Sequence, residues 1–325
     1  MYPSLPPEAL AVHDALIRAR IGAEGHMRMA DRAGFTWGEE TITEILLAHA
    51  HPEITSVTFT KRQERHLGAD WLWWWIDDSD EAFGMLVQAK RLHAGGQIDF
   101  AYRGGEQMDA LRASARLLSV PDSYVLYLGS REFRTSVPID GVKHYRALHR
   151  HNSGVSYVPG WVVQSLTTHP GPKVDESRAV ACSAPLESMV FDNAWRPSMA
   201  PPAQLRSHDP VLYDFLTARQ RGVRRIARNV LDLVAARRVE LFRQAGWADE
   251  VALPDECIFN RVLADPGHDD EPYMEAVLKG LRSEAPDYVQ RALEGEPLDL
   301  LADTPNIEGM VVVGLGTRSR NRRLT

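Results

Sequence analysis

The sequence predicts an α/β fold, a mixed central sheet flanked by helices, followed by a mostly helical C-terminal elaboration. Three observations carry this. Between Gly38 and Leu128 the hydrophobic pattern alternates in the order helix, three strands, helix, strand. Long stretches of helical periodicity dominate from Pro210 onward. A late apolar run, Met310–Leu315 (MVVVGL), has the length and β-branched content of a buried strand. We expect residues 1–170 to hold the core and 171–325 the elaboration, with 309–316 a candidate for return to the core sheet.

The elements follow in order. A helix is expected over Glu8–Arg20. The clearest helix begins after Gly38, where GEETITEILLAHA puts Ile42, Ile45, Leu46 and His49 on one face and Glu39 and Glu40 at the positive end of the helix dipole. Ile54–Thr60, Asp70–Ile76 and Gly84–Leu92 read as strands, and the acidic run Asp77–Glu81 reads as the turn joining the last two. A helix over Gln107–Leu118 and a strand over Ser123–Leu128 follow. Tyr157–Leu166 reads as a strand with a Pro-Gly break, and Pro197–Pro210 as a loop. Pro210–Gln244 makes one or two helices and Pro272–Leu293 another.

At 325 residues and 44% apolar content the chain can bury a sizeable core. A net charge of −7 excludes a uniformly basic surface but permits a local basic groove. Two cysteines, Cys182 and Cys257, show no metal-ligand spacing. No stretch reaches membrane-span length and no signal peptide is visible, so a cytoplasmic protein is the expectation.

The chemistry concentrates around GADW and VQAK. If Asp70–Ile76 and Phe83–Arg91 pair about the acidic turn, Asp70 falls opposite Gln88–Lys90, with cross-strand Cβ atoms about 4.5–5.5 Å apart. The strand period of two puts Gln88 and Lys90 on one face and Ala89 on the other. A carboxylate, an amide oxygen and an ammonium then meet at one place. Oxygen ligands suit a hard cation such as Mg²⁺. Such an ion lowers the pKa of a bound water, and a neighbouring lysine stabilises charge that develops in the transition state.

These residues resemble the PD-(D/E)XK, or restriction-endonuclease-like, nuclease superfamily, in the Mrr-like branch whose motif reads D…QxK. The chain is more closely similar to an uncharacterised family of bacterial proteins assigned to that superfamily, with a GADW…QAK core. The resemblance covers residues 38–130 and implies a restriction-endonuclease-like core. It also implies an Mg²⁺- or Mn²⁺-dependent endonuclease, DNA as the favoured nucleic acid, and a part in bacterial defence against foreign DNA. By the same resemblance Asp70 is the principal metal ligand, Gln88 replaces the second acid, the Ala89 carbonyl completes the set, and Lys90 is the catalytic lysine. Glu64, six residues before Asp70, and Glu40 in the first core helix are the supporting acids. Helical-wheel arithmetic places Glu39 nearer the apolar face, so the choice between Glu39 and Glu40 stays open. Gln107 resembles a glutamine that faces the site in related nucleases. The departure from the pattern is Gln88, whose amide brings no negative charge.

Other signals have plainer readings beside the sharp ones. Trp71, Trp73 and Trp75 fall on the strand face opposite Asp70 and read as core, with base or sugar stacking as the alternative. Arg221, Arg224, Arg225 and Arg228 form a basic stripe that could track phosphates or simply be solvated. The basic tail Arg318–Arg323 carries the same two readings. His144, His149 and His151 lack the spacing of a helical zinc pair. No phosphate-binding or nucleophile-elbow motif is present. A homodimer is the default expectation, with an activating partner unspecified. A non-catalytic nucleic-acid-binding or scaffold protein on the same fold is the rival to the nuclease.

Overall fold

The computed structural model describes residues 7–58, 69–100, 105–129, 154–168, 173–190, 206, 210–218, 220–244, 273–296 and 307–315. Helix α1 (Pro7–Arg32) and helix α2 (Glu39–Ala50) open the chain, followed by β1 (Ile54–Thr58), β2 (Ala69–Asp77), β3 (Ala82–Arg91) and the short β4 (Gln97–Asp99). Then come α3 (Glu106–Leu118), β5 (Asp122–Tyr127), β6 (Val155–Pro159), α4 (Gly160–Thr168), β7 (Lys173–Asp175), α5 (Glu176–Cys182) and β8 (Ala184–Pro185). A 3₁₀ turn (Leu186–Val190), α6 (Pro210–Thr217), α7 (Gly222–Gln244), α8 (Tyr273–Gly280), β9 (Leu281–Arg282), α9 (Asp287–Leu293) and β10 (Ile307–Leu315) complete the described elements.

The fold is α/β, built on a mixed eight-stranded sheet. Its order is β1-β10-β2-β3-β5-β6-β8, with β9 pairing with the start of β3. Strand β10 lies between β1, to which it is antiparallel, and β2, to which it is parallel. The sheet thus takes a central strand from beyond residue 300, and a boundary at residue 170 would cut through it. The second half contributes strands as well as helices, more than a helical elaboration alone.

The β2–β3 hairpin is antiparallel, with Ile76 opposite Ala82 and Trp71 opposite Val87. The Asp77 carboxylate shapes its turn by accepting from the Ser79 backbone N–H and hydroxyl. Two glycines settle how the tryptophans stack along the sheet. Trp74 lies over its partner Gly84 and Trp71 over its partner Gly309. A Cβ at either position would come within 2.7 Å and 2.3 Å of the respective indole ring, closer than packed atoms approach.

Three elements differ from the sequence expectation. Helix α1 runs to Arg32 because its apolar row, Val12, Leu16, Ala19, Ala23 and Met27, continues past Arg20 and is fully buried. The apolar run Tyr157–Leu166 splits at Pro159, where β6 ends and α4 begins; a continuously apolar segment does not by itself distinguish a buried strand from a buried helix. The expected helix over 272–293 is two helices, broken between Gly280 and Pro286.

Register divides the sheet into two faces. Tyr127 shares one face with Ala89 and Arg91 and meets α2 through its hydroxyl, 2.6 Å from Thr43 Oγ1. Gln88, Lys90 and Tyr124 share the other face with Trp74. There Lys90 meets α3, and Trp74 packs edge-on against Tyr288 of α9 with rings 6.2 Å apart. Trp73, Trp74 and Trp75 are all buried, so the core reading of the tryptophan run holds for these three; Trp71 is half-buried. No helix among the described residues is long and apolar enough to cross a membrane.

Candidate active site

The β3 strand is buried along nearly its whole length, so each polar side chain on it must find a partner or a use. Lys90 is 6% exposed and its Nζ donates to Gln107 Oε1 at 2.5 Å. Gln107 sits in the first turn of α3. The described bond of this buried cation is thus to a neutral amide rather than to a carboxylate. Gln88, two residues earlier on the same face, is 1% exposed, and its Nε2 has no hydrogen-bond partner among the described residues. Ala89 points to the opposite face and is buried.

The described ladder begins at Trp71↔Val87, so one step further brings the backbone of Asp70, within β2, level with Gln88. The Asp70 side chain lies outside the described residues, as does Glu64 entirely. Of the two glutamates at the start of α2, Glu39 is the one that reaches β3. Its Oε1 accepts the Arg91 backbone N–H at 2.9 Å, immediately after Lys90, whereas Glu40 is exposed. Of the two that the sequence left open, Glu39 is thus the one in contact with β3. Position 39 is inside the helix wheel's buried arc, close to Ile42, Thr43 and Leu46, and position 40 turns away from it. Arg91 adds to this corner by donating to the Trp37 carbonyl at 2.7 Å while its guanidinium lies over the Trp37 ring.

The arginine row of α7 does not form one solvent-facing stripe. Arg221 and Arg224 are exposed, and Arg224 pairs with Glu81 at the hairpin tip at 3.2 Å. Arg225 is buried and donates to the Val190 carbonyl, while Arg228 binds Asp232 at 3.0 Å and the Leu216 carbonyl. A phosphate-tracking role for Arg225 and Arg228 is therefore corrected: their guanidinium groups tie α7 to the 3₁₀ turn and to α6. Sequence spacing shows which residues share a helix face but not whether that face is covered. The histidine cluster 144–151 and the tail 318–323 lie outside the described residues.

Hard cations are held by oxygen. On this face the described oxygens include the Gln88 amide, the Tyr124 hydroxyl and the Asp122 carboxylate, and the Glu39 carboxylate meets the end of the strand. Among the described residues no group of three or more His, Cys, Asp or Glu comes together. A metal set here thus needs the carboxylates of Asp70 and Glu64. Those acids with the Gln88 amide would make an all-oxygen set of the kind Mg²⁺ or Mn²⁺ accepts.

Sequence reasoning missed Tyr124 and Arg112. Tyr124 pairs with Gln88 across parallel strands, is 1% exposed, and its hydroxyl has no partner. Arg112 in α3 has Nε and Nη2 buried without partners. The sequence signal was weak: a tyrosine in an apolar strand and one arginine in a helix with others. No curated protein and no solved structure matches the chain. A family profile covers residues 12–319, nearly its whole length, and the chain belongs to that family, DUF6615, a family of unknown function.

Proposed function

We propose that the protein is a metal-dependent nuclease that hydrolyses a phosphodiester bond of nucleic acid, with DNA the favoured substrate. The observation that carries this reading is the buried Lys90, bonded to the amide of Gln107 and standing beside the buried Gln88 at the level of Asp70. A lysine taken from water is costly unless a charge partner or a function compensates it, and a neutral amide leaves most of its positive charge available.

Asp70, Glu64, the Gln88 amide oxygen and the Ala89 carbonyl would hold Mg²⁺ or Mn²⁺. When bound, such an ion supplies charge neutralisation and a water of lowered pKa. The chain's own part is positional. Lys90 presents a cation where charge accumulates on the phosphate oxygens, and Gln107 fixes its position so that no reorganisation is needed during the reaction. The buried β3 face keeps bulk water from screening this charge.

The test is cleavage of supercoiled and linearised plasmid by the purified protein with Mg²⁺ or Mn²⁺, beside Asp70→Ala and Lys90→Ala. Loss of cleavage in both variants is expected. Cleavage that persists in both would sink the site assignment. A wild-type protein that binds DNA without cutting it would favour the scaffold reading, for which the uncharged Gln88 speaks.

A further inference from the structure

Buried polar side chains gather under α3. Among the described residues, Gln88 Nε2, Tyr124 Oη, and Nε and Nη2 of Arg112 are all buried without a hydrogen-bond partner. Gln88 and Tyr124 are register partners on parallel strands about 4.8 Å apart. Arg112 belongs to α3, which packs on both strands. Burial raises that hydroxyl far above the ordinary tyrosine range, the Asp122 carboxylate adds to the rise, and the Arg112 charge opposes it. The phenol thus keeps its proton and remains a donor. The Arg112 Nη1 has an ionic contact, 3.9 Å to Asp109, a side chain turned mostly to solvent. Asp122, the carboxylate that shares this face, lies against Gly160 at the start of α4. Phe100 meets the Tyr124 ring edge-on at 5.3 Å and gives the cluster an apolar wall.

Buried donors are almost always satisfied in native proteins, so a cluster of orphans calls for an occupant. An amide NH₂, a hydroxyl and a guanidinium edge, with the Lys90 ammonium two residues along β3, complement an oxyanion. The planar guanidinium is the usual partner of phosphate. We propose that Gln88, Tyr124 and Arg112 form a pocket for a terminal phosphate of the substrate, separate from the phosphate attacked beside Lys90. The ligand class rests on the nuclease reading of this face. The preference for an end follows from burial: Gln88 and Tyr124 are each 1% exposed. A phosphate within a strand carries a nucleotide on each side and needs open space for both, whereas a terminal phosphate needs an approach from one direction.

The experiment measures binding of the full chain, without divalent metal, to short DNA duplexes carrying 5′-phosphate, 3′-phosphate or hydroxyl ends. One phosphorylated end should bind about tenfold more tightly than the hydroxyl end, and inorganic phosphate should compete. Arg112→Gln and the shape-conserving Tyr124→Phe should each reduce that preference to about threefold or less, with melting temperature recorded for both. Equal binding of all ends, or a preference untouched by Tyr124→Phe in a folded protein, overturns the pocket. The two readings fail separately. Absence of cleavage with the end preference intact sinks the nuclease and spares the pocket. Cleavage indifferent to end phosphorylation and to both variants does the reverse.

Discussion

Two buried cations in this protein are held in opposite ways. Arg20 of α1 donates from Nε to Glu187 of the 3₁₀ turn at 2.8 Å and lies 3.4 Å from Glu24, one turn along its own helix. Lys90 of β3 meets an amide, Gln107. The first arrangement spends its charge locally and joins two elements distant in sequence. The second pairs its charge, among the described residues, with an amide rather than a carboxylate. Buried charge is costly in both places. The difference lies in the partner: Arg20 joins α1 to the 3₁₀ turn through a carboxylate, whereas the described partner of Lys90 is a neutral amide.

The comparison breaks most readily by removing one cation at a time. Arg20→Ala leaves the Glu187 carboxylate buried without its partner and should cost about 3–5 kcal/mol of stability, read from the denaturant midpoint. Lys90→Ala should instead act on cleavage, lowering the rate about 10²–10³-fold. If Arg20→Ala proves mild, the claim that its pair is structural fails.

Glu187 sharpens the same contrast through pH. Burial pushes its carboxyl up to about 6, against the pull of Arg20. A raised carboxyl pKa means that the folded state holds the proton more tightly than the unfolded chain. The stability it contributes is full below the ordinary value of 4.5 and is lost as pH rises through about 6. At about 1.4 kcal/mol per pKa unit this amounts to about 2 kcal/mol. Glu187→Gln should remove that slope when stability is measured across this window; an unchanged slope would place its origin elsewhere. The smallest effect is expected at Lys90→Met, which fills the site without charge and should alter stability by about 1 kcal/mol or less. A loss as large as that of Arg20→Ala would make Lys90 a structural residue and remove the main support for the nuclease reading.

The hairpin was largely legible before the structure. The acidic turn and the β-prone runs on either side require antiparallel pairing, and the period of two alone puts Gln88 and Lys90 on one face. The expected pairing put Asp70 opposite Gln88–Lys90, and the observed register, Ile76↔Ala82 to Trp71↔Val87, leads to the Gln88 end of that range. Register depends on how many residues the turn absorbs, and Asp80 adopts a left-handed conformation there (φ 65°) that its residue type permits but does not demand. The supporting acid was half legible. Wheel geometry pointed to Glu39, and the Arg91 N–H that it accepts is supplied by a strand fifty-two residues away.

By itself, then, the sequence determined the α/β class, the hairpin, and the side of β3 on which Gln88 and Lys90 stand, because alternation and helical period are local properties of the chain. Tertiary structure decided the rest. Strand β10, the late apolar run that the sequence offered for return to the sheet, took its place between β1 and β2, where Gly309 admits the Trp71 ring; the local pattern marks the strand but not the neighbours it takes. Burial of Arg225 and Arg228 turned an apparent basic stripe into internal ties. The orphaned donors of Gln88, Tyr124 and Arg112 exist only because α3 closes over two parallel strands, so their lack of partners is a property of packing that spacing does not encode.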